Sequence, residues 1–175
     1  MLVRSIFLGL AVILLLFMPQ TGIAIDEEME KVVFYDGTKL YGKLRNNMTF
    51  EVSLFIKPYK DDESESIPKF WGIYKEKPDC VINELTVIIG GIKANIPKRA
   101  IIDLAEVNLP RGLYLMQTKK AVILYIEGGD GAGSYKASLK LVNNKLISRT
   151  IEFINKEGEL DSITMDFVRK TGAKP

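Results

Sequence analysis

The chain contains no histidine. Ser-His-Asp and Cys-His hydrolases need a base that titrates near neutrality, and no other side chain does so unperturbed. Those mechanisms are excluded, and histidine-ligated zinc, copper and iron sites fall with them. Cysteine occurs once, at Cys80, so an internal disulfide and a thiolate metal site are excluded too. The bland reading of Cys80 is a small buried apolar residue. Carboxylates, Lys, Tyr and Ser are what remains for catalysis. No cofactor is expected.

A strong excess of either charge is also missing. The 24 Lys and Arg nearly balance the 22 Asp and Glu. Such neutrality gathers no phosphates or acidic polymers, so nucleic acid is not an expected partner.

Long apolar runs are absent, with one exception. Arg4 precedes an unbroken stretch from Ile6 to Met18, which Pro19 ends. Thirteen residues at about 1.5 Å each cover about 20 Å, against roughly 30 Å for the hydrocarbon core of a bilayer. Gly22-Ile23-Ala24 then supplies small residues at the −3 and −1 positions of a cleavage point. Residues 1–24 therefore read as a secretory signal peptide, with the mature chain starting at Ile25. The expected address is secreted or periplasmic, with no membrane span after cleavage.

The remaining 151 residues suit one domain with one core. They read as strands, through period-2 alternation punctuated by turn dipeptides. The spacing predicts strands over Val32–Tyr35, Lys39–Leu44, Thr49–Ile56, Val81–Ile89, Ile92–Ile96, Ala121–Ile126, Ser134–Val142, Leu146–Ile154 and Ser162–Phe167. Asp36-Gly37, Asn46-Asn47, Gly90-Gly91 and Asn143-Asn144 mark turns between them. One short helix is expected after Pro97, where Ile101, Leu104 and Ala105 recur at i, i+3, i+4. The expected fold is mostly β: a single-domain antiparallel sandwich or barrel-like sheet with one short helix. The β-rich domain spans 25–167, and residues 168–175 read as a flexible tail.

The most distinctive motif is Gly128-Gly129-Asp130-Gly131-Ala132-Gly133-Ser134, between two apolar strands. Four glycines permit positive φ and close backbone approach, and successive N–H groups are the raw material of an anion-binding nest. A phosphate loop would need Gly-Lys-Ser/Thr and a following helix, and a dinucleotide loop would need G-x-G-x-x-G. Neither spacing is present. The plainer reading is a glycine-rich hairpin or bulge. Gly128, Gly129, Asp130, Gly131, Gly133 and Ser134, with Trp71, are the candidate ligand-binding residues. Catalytic and metal residues are not assigned.

The stretch Tyr125–Arg149, with Ile101-Ile102-Asp103-Leu104 upstream, is similar to a segment of exported bacterial proteins that carry no assigned activity. The resemblance covers roughly a third of the chain. It implies an envelope address and a β-rich fold, and nothing about substrate.

Other features weigh less. Ser66-Ile67-Pro68-Lys69 with Lys170-Thr171-Gly172 mimics a β-lactamase signature, but the first lies in an acidic loop and the second in the tail. Asp61, Asp62, Glu63 and Glu65 form that loop's acidic cluster, whose usual meaning is solvation. Phe70, Trp71 and Tyr74 form either a stacking platform or core. The leading functional expectation is an exported, non-catalytic binding or interaction protein, its partner a protein or small-molecule ligand in the envelope. The alternatives are a carboxylate-dependent envelope hydrolase, for which Asp130 and Asp103 are the nameable pair, or an inhibitor or immunity-type protein acting through the 61–65 loop.

Overall fold

A computed structural model describes residues 30–60, 69–73, 77–155 and 157–168. Ten strands form two antiparallel five-stranded sheets. The first holds β1 (Glu30–Phe34), β2 (Gly37–Lys43), β3 (Thr49–Pro58), β4 (Cys80–Ile89) and β5 (Ile92–Lys93) in chain order. The second holds β6 (Leu113–Gln117), β7 (Val122–Gly128), β8 (Tyr135–Val142), β9 (Lys145–Ile154) and β10 (Leu160–Asp166), also in chain order. The two sheets make a sandwich and not a closed barrel. Residues 1–24, the acidic cluster 61–65 and Tyr74 lie outside the described residues.

Alternation decides which side chains face inward. Leu40 pairs with Val52, and Val52 with Val87, so one row of the first sheet points into the core. Leu124 pairs with Leu139, and Ala137 with Ile151, which builds the facing row. Leu40, Val52, Leu54, Leu124 and Leu139 are fully buried, each stabilising the fold by about 2 kcal/mol relative to exposure. The turns carry the backbone their dipeptides allow. Asn143 and Asn144 have φ of 49° and 57°, and Gly90 and Gly91 have 60° and 77°. Both pairs close two-residue hairpins of the kind that needs two left-handed residues.

Two expectations change. β6 was not foreseen: Leu113-Tyr114-Leu115-Met116 lacks alternation and is short. The expected helix after Pro97 is a single 3-10 turn, Lys98–Ala100. The apolar spacing is real, since Ala100, Ile101, Leu104 and Ala105 are all buried. The backbone, however, is bonded elsewhere. Trp71 N–H donates to the Asp103 carbonyl, Ala105 N–H to the Trp71 carbonyl, and Glu106 N–H to the Cys80 carbonyl. Ile101 and Ile102 N–H both donate to the Lys98 carbonyl and Leu104 N–H to the Ile101 carbonyl, but the Asp103 carbonyl and the N–H groups of Ala105 and Glu106 go to neighbouring chain, so the turn does not propagate into a helix. This segment is the crossing from the first sheet to the second.

Candidate functional site

The crossing segment, the start of β4 and the β7–β8 turn meet at one end of the sandwich. Val107 forms an isolated bridge to Gly128. Gly129 N–H donates to the Glu106 carbonyl at 2.8 Å, and Asn108 Nδ2 donates to the Gly129 carbonyl at 2.9 Å. The strip Trp71–Ile73 lies against the same turn. A Cβ on Gly129 would stand 2.8 Å from the Cα of Gly72 and 2.6 Å from the Gly133 carbonyl oxygen. Only paired glycines let the two backbones pass so closely. Beneath them the Tyr135 ring fills the space a side chain at Gly128 would occupy, and its hydroxyl donates to the Ala105 carbonyl at 3.0 Å.

The surfaces enclose an open cleft of about 350 Å³. Gly72, Ile73 and Val107 give it apolar walls, while Lys77, Asp79, Glu106, Asn108 and Asp130 bring polar groups. Glu106 is its most constrained member. Its φ of 50° is left-handed, a conformation that costs a side-chain-bearing residue about 1–2 kcal/mol. Its carboxylate accepts from the N–H groups of Asp79 and Cys80 and lies 3.5 Å from the Cys80 sulfur. Burial pushes the Cys80 thiol up to about 11, with the Glu106 charge adding to the effect. A thiol so disposed is protonated at neutral pH and is no nucleophile. Among the described residues no three Asp, Glu or Cys side chains are placed to hold a metal ion.

The seven candidates separate. Gly129 and Asp130 line the cleft, with Asp130 exposed at its rim. Gly128 is buried under Tyr135. Gly131 and Gly133 form a 3-10 turn in which Gly133 N–H donates to the Asp130 carbonyl and Ser134 N–H to the Gly131 carbonyl. The Ser134 hydroxyl donates to the same Gly131 oxygen at 2.8 Å. The N–H groups of Gly129, Gly133 and Ser134 are bonded within the protein and are not offered to a ligand. Trp71 precedes the cleft-lining Gly72 but does not line the cleft itself, and its ring packs on Phe153 with centroids 4.9 Å apart, under the Lys69 ammonium at 4.6 Å. Phe70 is buried against Tyr59 and belongs to the core.

Asp103 is not among the residues that line the cleft with Asp130. Its carboxylate forks onto the Arg149 guanidinium. Glu106, Asn108, Lys77 and Asp79 escaped sequence reasoning, because nothing in their local pattern separates them from loop residues. No family model, curated protein or solved structure matches this chain.

Proposed function

We propose that the chain is an exported, non-catalytic binding protein that takes a ligand, or a group of a protein partner, in the cleft between Gly72 and Asp130. The observation that carries this reading is the convergence of three chain segments on one cavity of about 350 Å³ with apolar walls and a polar rim, the usual form of a small-ligand site. Backbone strain at Glu106 supports it, because left-handed side-chain-bearing residues gather at binding sites. The missing histidine and the protonated thiol support a binding role over catalysis. The apolar run Ile6–Met18 with Gly22-Ile23-Ala24 supports export to the envelope. Three carboxylates against one lysine make the rim acidic, so groups bearing hydrogen-bond donors or positive charge complement it.

The test is a titration of the isotope-labelled chain with amines, saccharides and short basic peptides, followed by amide resonances. Binding at this site moves Asn108, Gly129 and Asp130 together. Asp130→Ala weakens it and leaves the unfolding midpoint unchanged. Ligands that move only residues remote from this end, or that bind Asp130→Ala equally well, refute the proposal.

A further inference from the structure

β10 ends the second sheet, and all seven of its residues are exposed. Its odd-numbered side chains face the same side as the core, since Ile163 lies opposite Ile151 and Met165 opposite Arg149. Cover stops between these two strands. Ile151 is 1% exposed and Ile163 51%. Apolar side chains left bare along an open sheet edge are a template for another strand.

The backbone shows which groups face that edge. Phe167 N–H donates to the Ile147 carbonyl at 2.8 Å, so the odd-numbered residues bond inward to β9. The even-numbered residues therefore turn their N–H and C=O groups outward. Ser162 N–H finds no strand there and is held by the Asp161 carboxylate at 2.7 Å.

We infer that this edge pairs with the same edge of a second copy of the chain, antiparallel, about a two-fold axis at Ile163. The register is self-complementary. It sets Ile163 against Ile163 on the core-facing side and Ser162 against Thr164 on the outer side, so like chemistry meets like. Ser162 and Thr164 carry the outward backbone groups and form the hydrogen-bonded pair. Ile163 takes the non-hydrogen-bonded position, where side chains approach most closely. Charge selects the same partner. Asp161 of one copy stands opposite Met165 and diagonal to Phe167 of the other. The Arg99 guanidinium lies over that Phe167 ring, 5.1 Å from its centre. The two-fold thus places each Asp161 beside the other copy's Arg99. Asp161 leaves Ser162 as the carbonyl of the opposing Thr164 takes that N–H. Two five-stranded sheets become one continuous sheet of ten strands, and the two bare Ile163 side chains cover each other.

β1 is another edge strand with a bare apolar side chain, Val33 being 54% exposed, and its docking on β10 would give an open head-to-tail chain instead. Cross-linking separates the two. The full chain, kept in mild detergent so that its N-terminal apolar stretch does not associate, is prepared as Ile163→Cys in a Cys80→Ser background. Mild oxidation is expected to give a single disulfide-linked dimer, while Lys140→Cys, exposed in mid-sheet, stays unlinked. Asp161→Arg is expected to weaken the dimer about tenfold or more, and Arg99→Asp added to it to restore association. Rescue of that kind does not follow from a folding defect. Absence of the Ile163→Cys dimer, failure of the charge swap to restore it, or cross-linking of Ile163→Cys chains only to Val33→Cys chains would overturn the inference.

Discussion

Arg149 and Asp103 form a forked ion pair between β9 and the crossing segment, with side chains only 5% and 19% exposed. Arg149 Nη1 also donates to the Ala100 carbonyl at 3.2 Å, and its Nε has no partner. The pair fixes the crossing segment on the second sheet and so fixes one wall of the cleft. Desolvating two charges is costly, so removing one partner and removing both have different consequences. Asp103→Ala leaves a buried guanidinium and is expected to destabilise the fold by about 3 kcal/mol. The double substitution Asp103→Leu, Arg149→Met is expected to stay within about 1 kcal/mol of the parent. Urea unfolding of the three chains checks this. Equal losses in single and double variants would show that the ion pair is not what holds the crossing.

Tyr135 makes the second link to the crossing segment, 3% exposed and bonded through its hydroxyl to the Ala105 carbonyl. Tyr135→Phe keeps the ring that packs on Gly128 but leaves that carbonyl unsatisfied. The expected loss is about 1–2 kcal/mol with no change in the β-sheet circular dichroism spectrum. A variant as stable as the parent would mean that the ring alone carries the contact.

Gly129 combines φ of 74° with backbone on both sides of its missing Cβ. Gly129→Ala is expected to cost at least about 2 kcal/mol, from left-handed strain and from pushing Gly72 away from the turn. Gly91, with φ of 77° but open space around it, isolates the strain term. Gly91→Ala is expected to cost about 1 kcal/mol. Equal unfolding midpoints for the two variants would contradict the close approach of Gly72 and Gly129.

Cys80 gives the pH dependence. Its folded value of about 11 lies above the ordinary 9.0, chiefly through burial and secondarily through Glu106. The unfolded chain therefore releases this proton first as pH rises. Stability from this group is full below about pH 9 and is lost between about 9 and 11. At pH 8 the folded thiolate fraction is about one in a thousand, against about one in ten for an ordinary exposed thiol. Alkylation at that pH is expected to be about a hundredfold slower for the folded chain than for the chain in urea. Glu106→Gln recovers only part of the difference, because burial remains. Full recovery would assign the shift to the carboxylate instead.

Local chemistry made much of the fold legible. Alternation along Tyr135–Val142 announced which side chains face the core, and Asn143-Asn144 and Gly90-Gly91 announced the hairpins, because both signals act over a few residues. The missed β6 and the absent helix have the opposite origin. Leu113–Gln117 becomes a strand by pairing with β7, and the turn after Pro97 does not grow into a helix because Trp71 and Cys80 take the backbone groups of Asp103, Ala105 and Glu106.

What the amino-acid order determined alone is the strand-and-turn grammar, the apolar stretch Ile6–Met18 and the exclusion of histidine chemistry. The tertiary structure decided the rest. Asp103 and Arg149 are 46 residues apart in sequence, and Gly72 meets Gly129 from a different sheet connection. No periodicity encodes such meetings, since they depend on how two separately readable sheets are laid face to face. That packing turned Trp71 onto Phe153, set Glu106 beneath Asp79 and Cys80, and left β10 without cover.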